Sequence, residues 1–212
     1  MKKVGIVGSG TVGKTLAGGL IKHGYQVMIG SRDKAKLEQL KKDTGATTGT
    51  FEEAAAFGDM VILTVKGSAS ETLVSSLRDK LAGKTVIDTT NPIAEKPPVN
   101  GVLQFFTTFD ESLMERLQKC APDAHFVKAF NCVGSHFMVD PKFELTPTMF
   151  ICGTSADAKK DVSSLLQEFG WEVEDMGSIE AARALEPLCM LWCIPGLREN
   201  KWNHAFKLMR VK

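Results

Sequence analysis

From Val4 onward the chain alternates short runs of β-branched residues with longer segments whose apolar positions return every three or four residues. The first run, Val4, Ile6 and Val7, passes straight into Gly8-Ser9-Gly10-Thr11-Val12-Gly13, after which Val12, Leu16 and Leu20 recur at four-residue spacing. That order predicts strand, glycine turn and helix. Gly24 is placed to end the helix, and residues 25–30 to form a second strand. Residues 33–42 read as a short charged helix with Leu37 and Leu40 turned inward, and residues 46–50 as a third strand. Thr50 and Glu53 have the spacing of a capping box for a helix that Gly58 closes. Residues 60–65 are continuously apolar, as in a parallel strand covered on both faces.

The alternation continues. A helix carrying Leu73, Val74, Leu77 and Leu81 precedes a strand over 85–88, and residues 93–108, with Pro97, Pro98 and Gly101, show no regular period and make a candidate wall for a site. Residues 112–120 read as a helix and 125–130 as a sixth strand. Two more strands, 149–152 and 171–176, are joined by a helix whose inner face is Val162, Leu165, Leu166 and Phe169, and they are expected to extend the sheet. Ser178 is placed to cap a final helical region with Leu185, Leu188, Leu191 and Trp192 inward and Pro187 bending its axis. The pattern implies an α/β fold: a doubly wound, Rossmann-type, mostly parallel sheet of about eight strands with right-handed crossovers. Residues 1–212 are expected to form one domain, with 178–212 as a short C-terminal helical addition.

In such a fold the glycine loop has a chemical use. Gly8 permits the tight turn, Gly10 lets the backbone approach a pyrophosphate, and Gly13 lets helix and strand pack closely. The anion then rests on the amides and the positive end of the helix. At the end of the second strand, where an acidic residue would read a ribose 2′-hydroxyl, the chain has Ser31-Arg32. A hydroxyl and a guanidinium suit a 2′-phosphate, and Lys36 lies one turn into the next helix if Asp33 caps it. These residues point to NADP(H) rather than NAD(H).

Net charge and composition narrow the partners. The 212 residues carry a formal charge of +1 with no basic tract, so neither nucleic acid nor an anionic membrane surface is an expected partner. No apolar run approaches the roughly 20 residues that span a bilayer, and no signal peptide precedes the first strand. A soluble cytoplasmic protein acting on a small molecule is expected. The five cysteines show no C-x-x-C pair and read as buried thiols, and Cys189 and Cys193 lack a neighbouring ligand that would make them a metal pair, so no metal is expected.

Residues at the carboxyl ends of the strands are the remaining candidates. Lys66 reads equally as a cofactor contact and as a solvated loop lysine, and Asn91 as a contact to ribose or carboxamide or as the holder of its own turn. Ala129 is a candidate cofactor contact, and Phe130 and Asn131 are candidates for a second substrate. Lys128 reads as a lysine leading out at a sheet edge in preference to a catalytic amine. Cys132 has no evident base and His136 no evident carboxylate, so no catalytic side chain is assigned. Trp202, His204 and Phe206 are placed to cover the cleft or to form a contact in a homodimer.

With these residues in hand, the chain resembles the NADP oxidoreductase family that includes archaeal reductases dependent on coenzyme F420, a deazaflavin. It also resembles the cytosolic domain of the six-transmembrane metalloreductases. The glycine loop, IGSR with Lys36, VILTV, VIDTTNP, HFVKAFN, ICGTSADA and DMGSIEAARALEPL carry the likeness across nearly the whole chain. The resemblance implies that Ser31, Arg32 and Lys36 hold the 2′-phosphate, Ser9, Gly10, Thr11 and Val12 the pyrophosphate, and that Val65 faces the nicotinamide. It further implies hydride exchange between NADP(H) and a flavin or deazaflavin, a small-molecule redox acceptor, with no protein acid or base in the key step. Two other readings compete: a non-catalytic NADPH sensor that docks on a partner, and an imine or 3-hydroxyacid reductase. The latter needs a helical second domain, for which the roughly 35 residues after Gly177 are too few.

Overall fold

The structure is a computed structural model that describes residues 2–211. Strands β1 (Lys3–Val7), β2 (Gln26–Gly30), β3 (Thr47–Gly49), β4 (Met60–Leu63), β5 (Thr85–Asp88) and β6 (His125–Lys128) form one parallel sheet in the order β3-β2-β1-β4-β5-β6. Helices α1 (Thr11–Lys22), α2 (Leu37–Thr44), α3 (Phe51–Phe57), α4 (Gly67–Leu81) and α5 (Leu113–Cys120) lie between the strands in sequence. The order reverses between β1 and β4, and the carboxyl ends of those neighbours open the crevice in which doubly wound sheets bind ligands.

Side chains on the sheet divide by parity. Val4, Ile6, Met60 and Ile62 pack with Leu16 and Leu20 of α1 on one face, while Val7, Val61 and Leu63 pack with Val74, Leu77 and Leu117 on the other. Burial on both faces explains why these strands read as continuous apolar runs. The capping box expected at Thr50 is present, and the structure adds a second at Ser112: Glu53 N donates to Thr50 Oγ1 and Glu115 N to Ser112 Oγ, with each glutamate accepting the cap residue's amide. The charged helix after β2 begins as a 3-10 turn, Lys34–Lys36, and becomes α-helical only from Leu37.

The last third departs from a simple extension of the sheet. Strands β7 (Thr148–Ile151) and β8 (Glu172–Asp175) pair in parallel as a separate two-stranded sheet, connected by α6 (Ala156–Glu168). A single antiparallel bridge, Lys128 with Cys152, joins it to β6. The eight strands are therefore split six and two, because the chain reverses direction after β6. Helix α7 (Ala182–Glu199) follows a 3-10 turn, Ile179–Ala181, and runs through both Pro187 and Pro195. Ser178 precedes that turn, but its side chain makes no cap hydrogen bond and lies 3.4 Å from Thr154 Oγ1 instead. The terminal cluster folds back on its own chain. His204 stacks on Trp192 at 5.0 Å, Trp192 Nε1 donates to the His204 carbonyl, and the Thr148 amide donates to the Phe206 carbonyl.

Candidate functional site

Each glycine of the first loop has a distinct environment. Gly8 has φ +133°, and a Cβ there would lie 2.5 Å from Thr64 Oγ1. A Cβ on Gly13 would lie 2.3 Å from the Gly8 carbonyl oxygen, so the first turn of α1 is pressed against the end of β1. A Cβ on Gly10 would meet nothing within 4 Å. Gly10 is also the N-cap of α1 and supplies no side-chain cap, so the first-turn amides of that helix stay available to an anion in the open space beside it.

The end of β2 is tied to this loop. Ser9 Oγ donates to Ser31 Oγ at 2.9 Å, and the Asp33 amide donates to the same oxygen at 3.1 Å. Asp33 is occupied: Oδ1 accepts from the Ala35 amide at 3.0 Å, and Oδ2 faces Lys36 Nζ at 3.5 Å. Ser31 is buried, whereas Arg32 and Lys36 are exposed.

Two adjoining clefts run along the carboxyl edge of the sheet. The larger, of about 1280 Å³, is lined by Gly8, Ser9, Gly10, Ser31, Arg32, Lys36, Val65 and Lys66 among others. The smaller, of about 670 Å³, is lined by Val12, Val65, Lys66, Thr90 and Asn91, and by Ile93 to Pro97 on its far side. Thr64, Val65 and Lys66 belong to both. Of the other residues singled out in the sequence, Gly13 packs behind the loop, and Thr11 is exposed at the start of α1 and lines neither cleft. Ala129, Phe130 and Asn131 are buried and line neither cleft, because the reversal after β6 turns them inward under β7 and α7.

The far wall, residues 93–108, has no regular period in sequence yet contains a small hairpin. Ile93 pairs with Phe105 and Val99 with Val102, both antiparallel. Asn100 (φ 51°) and Gly101 (φ 81°) form the turn, both with the positive φ of a type I′ hairpin. The Asn-Gly pair between two valines was the available signal. Glu95 Oε1 accepts from Ser68 Oγ at 3.2 Å and lies 3.9 Å from Lys66 Nζ, so this strap is tied to the β4–α4 turn. At its tip, a Cβ on Gly101 would lie 2.4 Å from Arg198 Cγ of α7.

Beneath the smaller cleft the polar groups are largely paired. Asn91 Nδ2 donates to the Asn131 carbonyl at 2.8 Å, and Asn131 Nδ2 donates to Asn91 Oδ1 at 3.2 Å and to the Leu185 carbonyl at 2.7 Å. Asn131 Oδ1 is buried without a partner.

Lys128 is not at an exposed edge. The two-stranded sheet covers that side of β6, and the lysine is fully buried with Nζ 2.6 Å from Asp88 Oδ2 and 2.9 Å from Glu186 Oε1. Burial alone would lower its pKa, but the two carboxylates outweigh it and the value is raised, so the ammonium stays charged. Glu186 in turn accepts the Leu113 and Met114 amides at the N-terminus of α5, which offsets its charge.

The thiols beside this cluster are muted. Burial pushes Cys132 and Cys152 up to about 12. Among the described residues no group of three or more His, Cys, Asp or Glu side chains is arranged to hold a metal ion, and no helix is long and apolar enough to cross a membrane.

Comparison with known proteins agrees with this arrangement. The family model for NADP oxidoreductase, coenzyme F420-dependent, matches residues 3–92. The chain is 32% identical to the metalloreductase STEAP3 of Rattus norvegicus over 92% of its own length, and spans only 38% of the length of that relative. It is 29% identical to the F420-dependent NADP reductase of Methanothermobacter marburgensis, covering 100% of this chain and 99% of the reductase. A crystal structure of a candidate F420-dependent NADP-reductase from Arthrobacter sp. FB24 superposes with a TM-score of 0.90 at 30% identity, covering 99% of this chain and 100% of the other. With strand order, glycine loop and end-to-end likeness in agreement, the chain belongs to the family of coenzyme F420-dependent NADP oxidoreductases.

Proposed function

We propose that the protein binds NADP(H) along the two clefts and exchanges a hydride with a small redox acceptor bearing a flavin or deazaflavin ring. The observation that carries the cofactor reading is the end of β2. Ser31 Oγ accepts two hydrogen bonds, so its own proton is free for an anion, and Arg32 stands beside it over the larger cleft. The nearby carboxylate of Asp33 is engaged by the Ala35 amide and Lys36, so the 2′-phosphate of the cofactor meets a hydroxyl and cations rather than a bare acid.

The residues present fit such a group in one further way: Gly10 leaves open space against the first turn of α1, which suits a pyrophosphate. Bound NADPH supplies the hydride from its reduced nicotinamide ring. The chain's part is to hold the anionic half through Ser31, Arg32, Lys36 and the loop amides. Val65 gives an apolar surface where the clefts meet, and the strap from Ile93 to Pro97 gives the acceptor a wall. A hydride moves as one unit between two ring carbons, so alignment can serve without an acid or base from the protein. The names of the archaeal relatives support a deazaflavin acceptor.

The test is direct. NADPH oxidation is followed with FMN, FAD and the deazaflavin in turn, alongside NADH as a control. Turnover with at least one acceptor and a preference for NADPH are expected, and no turnover with any of the three would overturn the acceptor reading.

A further inference from the structure

The buried charges below the smaller cleft have no part in the reaction as described so far. Lys128 Nζ contacts three acceptors: Asp88 Oδ2 on β5 at 2.6 Å, Glu186 Oε1 on α7 at 2.9 Å, and the main-chain oxygen of Thr90 at 2.9 Å. The contact to the Thr90 oxygen is a hydrogen bond and the two carboxylate contacts are ion pairs, so the ammonium is held from three directions. Apolar side chains of the same volume often pack as stably as a buried ion cluster, or more so, so stability alone does not account for these three charges. What an ammonium adds is direction, since its acceptors must converge on one point.

The group it directs is the turn leaving β5. Asp88 Oδ1 accepts from the Thr90 amide at 2.8 Å and from Thr90 Oγ1 at 2.7 Å, while Lys128 holds the Thr90 carbonyl. Thr90 is thus fixed at its amide, its side chain and its carbonyl. The next residue, Asn91, lines the smaller cleft and is bonded to Asn131, whose amide reaches the Leu185 carbonyl. Leu185 precedes Glu186, so the contacts close into a ring: Lys128, Thr90, Asn91, Asn131, Leu185, Glu186. The ring meets the cleft only at Thr90 and Asn91.

We infer that Lys128 is a positioning residue, which by gripping the Thr90 carbonyl from behind fixes Asn91 at the nicotinamide end of the site. It governs hydride transfer without governing the grip on the adenosine half. This rests on the NADP(H) reading above. Lys128 touches neither cleft and acts only through the turn.

K128M alone would strand two buried carboxylates, so the informative variant is K128M/D88N. It removes the ion pair as a unit, keeps the charge of the cluster, and leaves an amide oxygen for Thr90. T90V, which deletes only the hydroxyl bond to Asp88, is the milder companion. Both are checked by thermal melting and then titrated with 2′,5′-ADP, which probes the adenosine half alone. NADP+ is next examined by saturation-transfer NMR, reading adenine and nicotinamide protons separately, and kcat is measured with the acceptor the wild type uses.

The expected result is 2′,5′-ADP affinity within about twofold of wild type, nicotinamide transfer reduced about threefold, and kcat reduced about tenfold in K128M/D88N with KM for NADPH little changed. T90V should shift the same way by less, and K128M/E186Q, which removes the ammonium with its other partner and keeps both bonds from Thr90 to Asp88, decides the matter if K128M/D88N does not fold. A folded variant with wild-type nicotinamide transfer overturns the inference. Wild-type protein that binds neither 2′,5′-ADP nor NADP+ overturns the cofactor reading itself, and the positioning role falls with it.

Discussion

The hydroxyls of Ser9 and Ser31 meet at 2.9 Å, Ser9 donating and Ser31 accepting, so the glycine loop and the end of β2 are one unit. Either residue alone is an ordinary turn serine. Together they set the distance between the amides at the start of α1 and the cation at position 32, the two places where the proposed cofactor carries phosphate.

R32A should weaken NADPH binding by about 1.5 to 3 kcal/mol through loss of a charge-assisted contact, with little change for NADH. Fluorescence titration of both nucleotides against wild type and variant checks this. Equal losses for the two would remove Arg32 from the role.

G10A and G13A should separate binding from folding. At Gly10 a methyl group meets no protein atom within 4 Å, so G10A should melt like wild type while binding NADPH at least about tenfold more weakly. At Gly13 the same methyl lies 2.3 Å from the Gly8 carbonyl, and G13A should melt several degrees lower. Calorimetry with and without NADPH reads both effects. A normal melting temperature for G13A would contradict the packing described.

The glycine loop was legible in sequence because its three glycines fall within six residues between an apolar run and a helical period, a signal as local as the capping boxes at Thr50 and Ser112. Lys128 was not. Its placement depends on a bridge to Cys152 and on a carboxylate 58 positions further along the chain, and no local period pairs such residues. The same reversal hides Ala129, Phe130 and Asn131, which a simple count of strands puts at the mouth of the cleft. The strap over the smaller cleft lies between these cases, since its Asn-Gly turn is local but its flanking strands are reduced to isolated bridges.

Glu115 predicts how one contact responds to acid. Arg183 beside it, with help from the Ser112 amide and hydroxyl and against the effect of burial, lowers its carboxyl from 4.5 to about 2. A depressed carboxylate contributes stability that is complete above its unfolded value and is lost as pH falls through the folded one. The Arg183 side chain is 40% exposed, so solvent screening reduces what the pair contributes. Urea unfolding of wild type and E115Q should therefore differ at pH 7 and converge between pH 4.5 and 2. A gap that persists unchanged at pH 2 would show that the charge on Glu115 is not its source.

Thiol labelling should sort the five cysteines. Cys132 and Cys152, pushed up to about 12 by burial, carry negligible thiolate at pH 8, and Cys189 is raised by its hydrogen bond with Cys193 and by burial. Cys193, lowered by the same bond, and the partly exposed Cys120 should react first with a disulfide reagent, the other three only after denaturation. Mass spectrometry of the labelled peptides identifies them. Rapid labelling of Cys132 in native protein would contradict its burial.

Because the Asn100-Gly101 tip has no side chain where it rests on Arg198, the strap leans directly on the final turn of α7. A side chain placed at position 101 would have to displace Arg198, so the far wall of the smaller cleft and the end of the last helix share a single boundary.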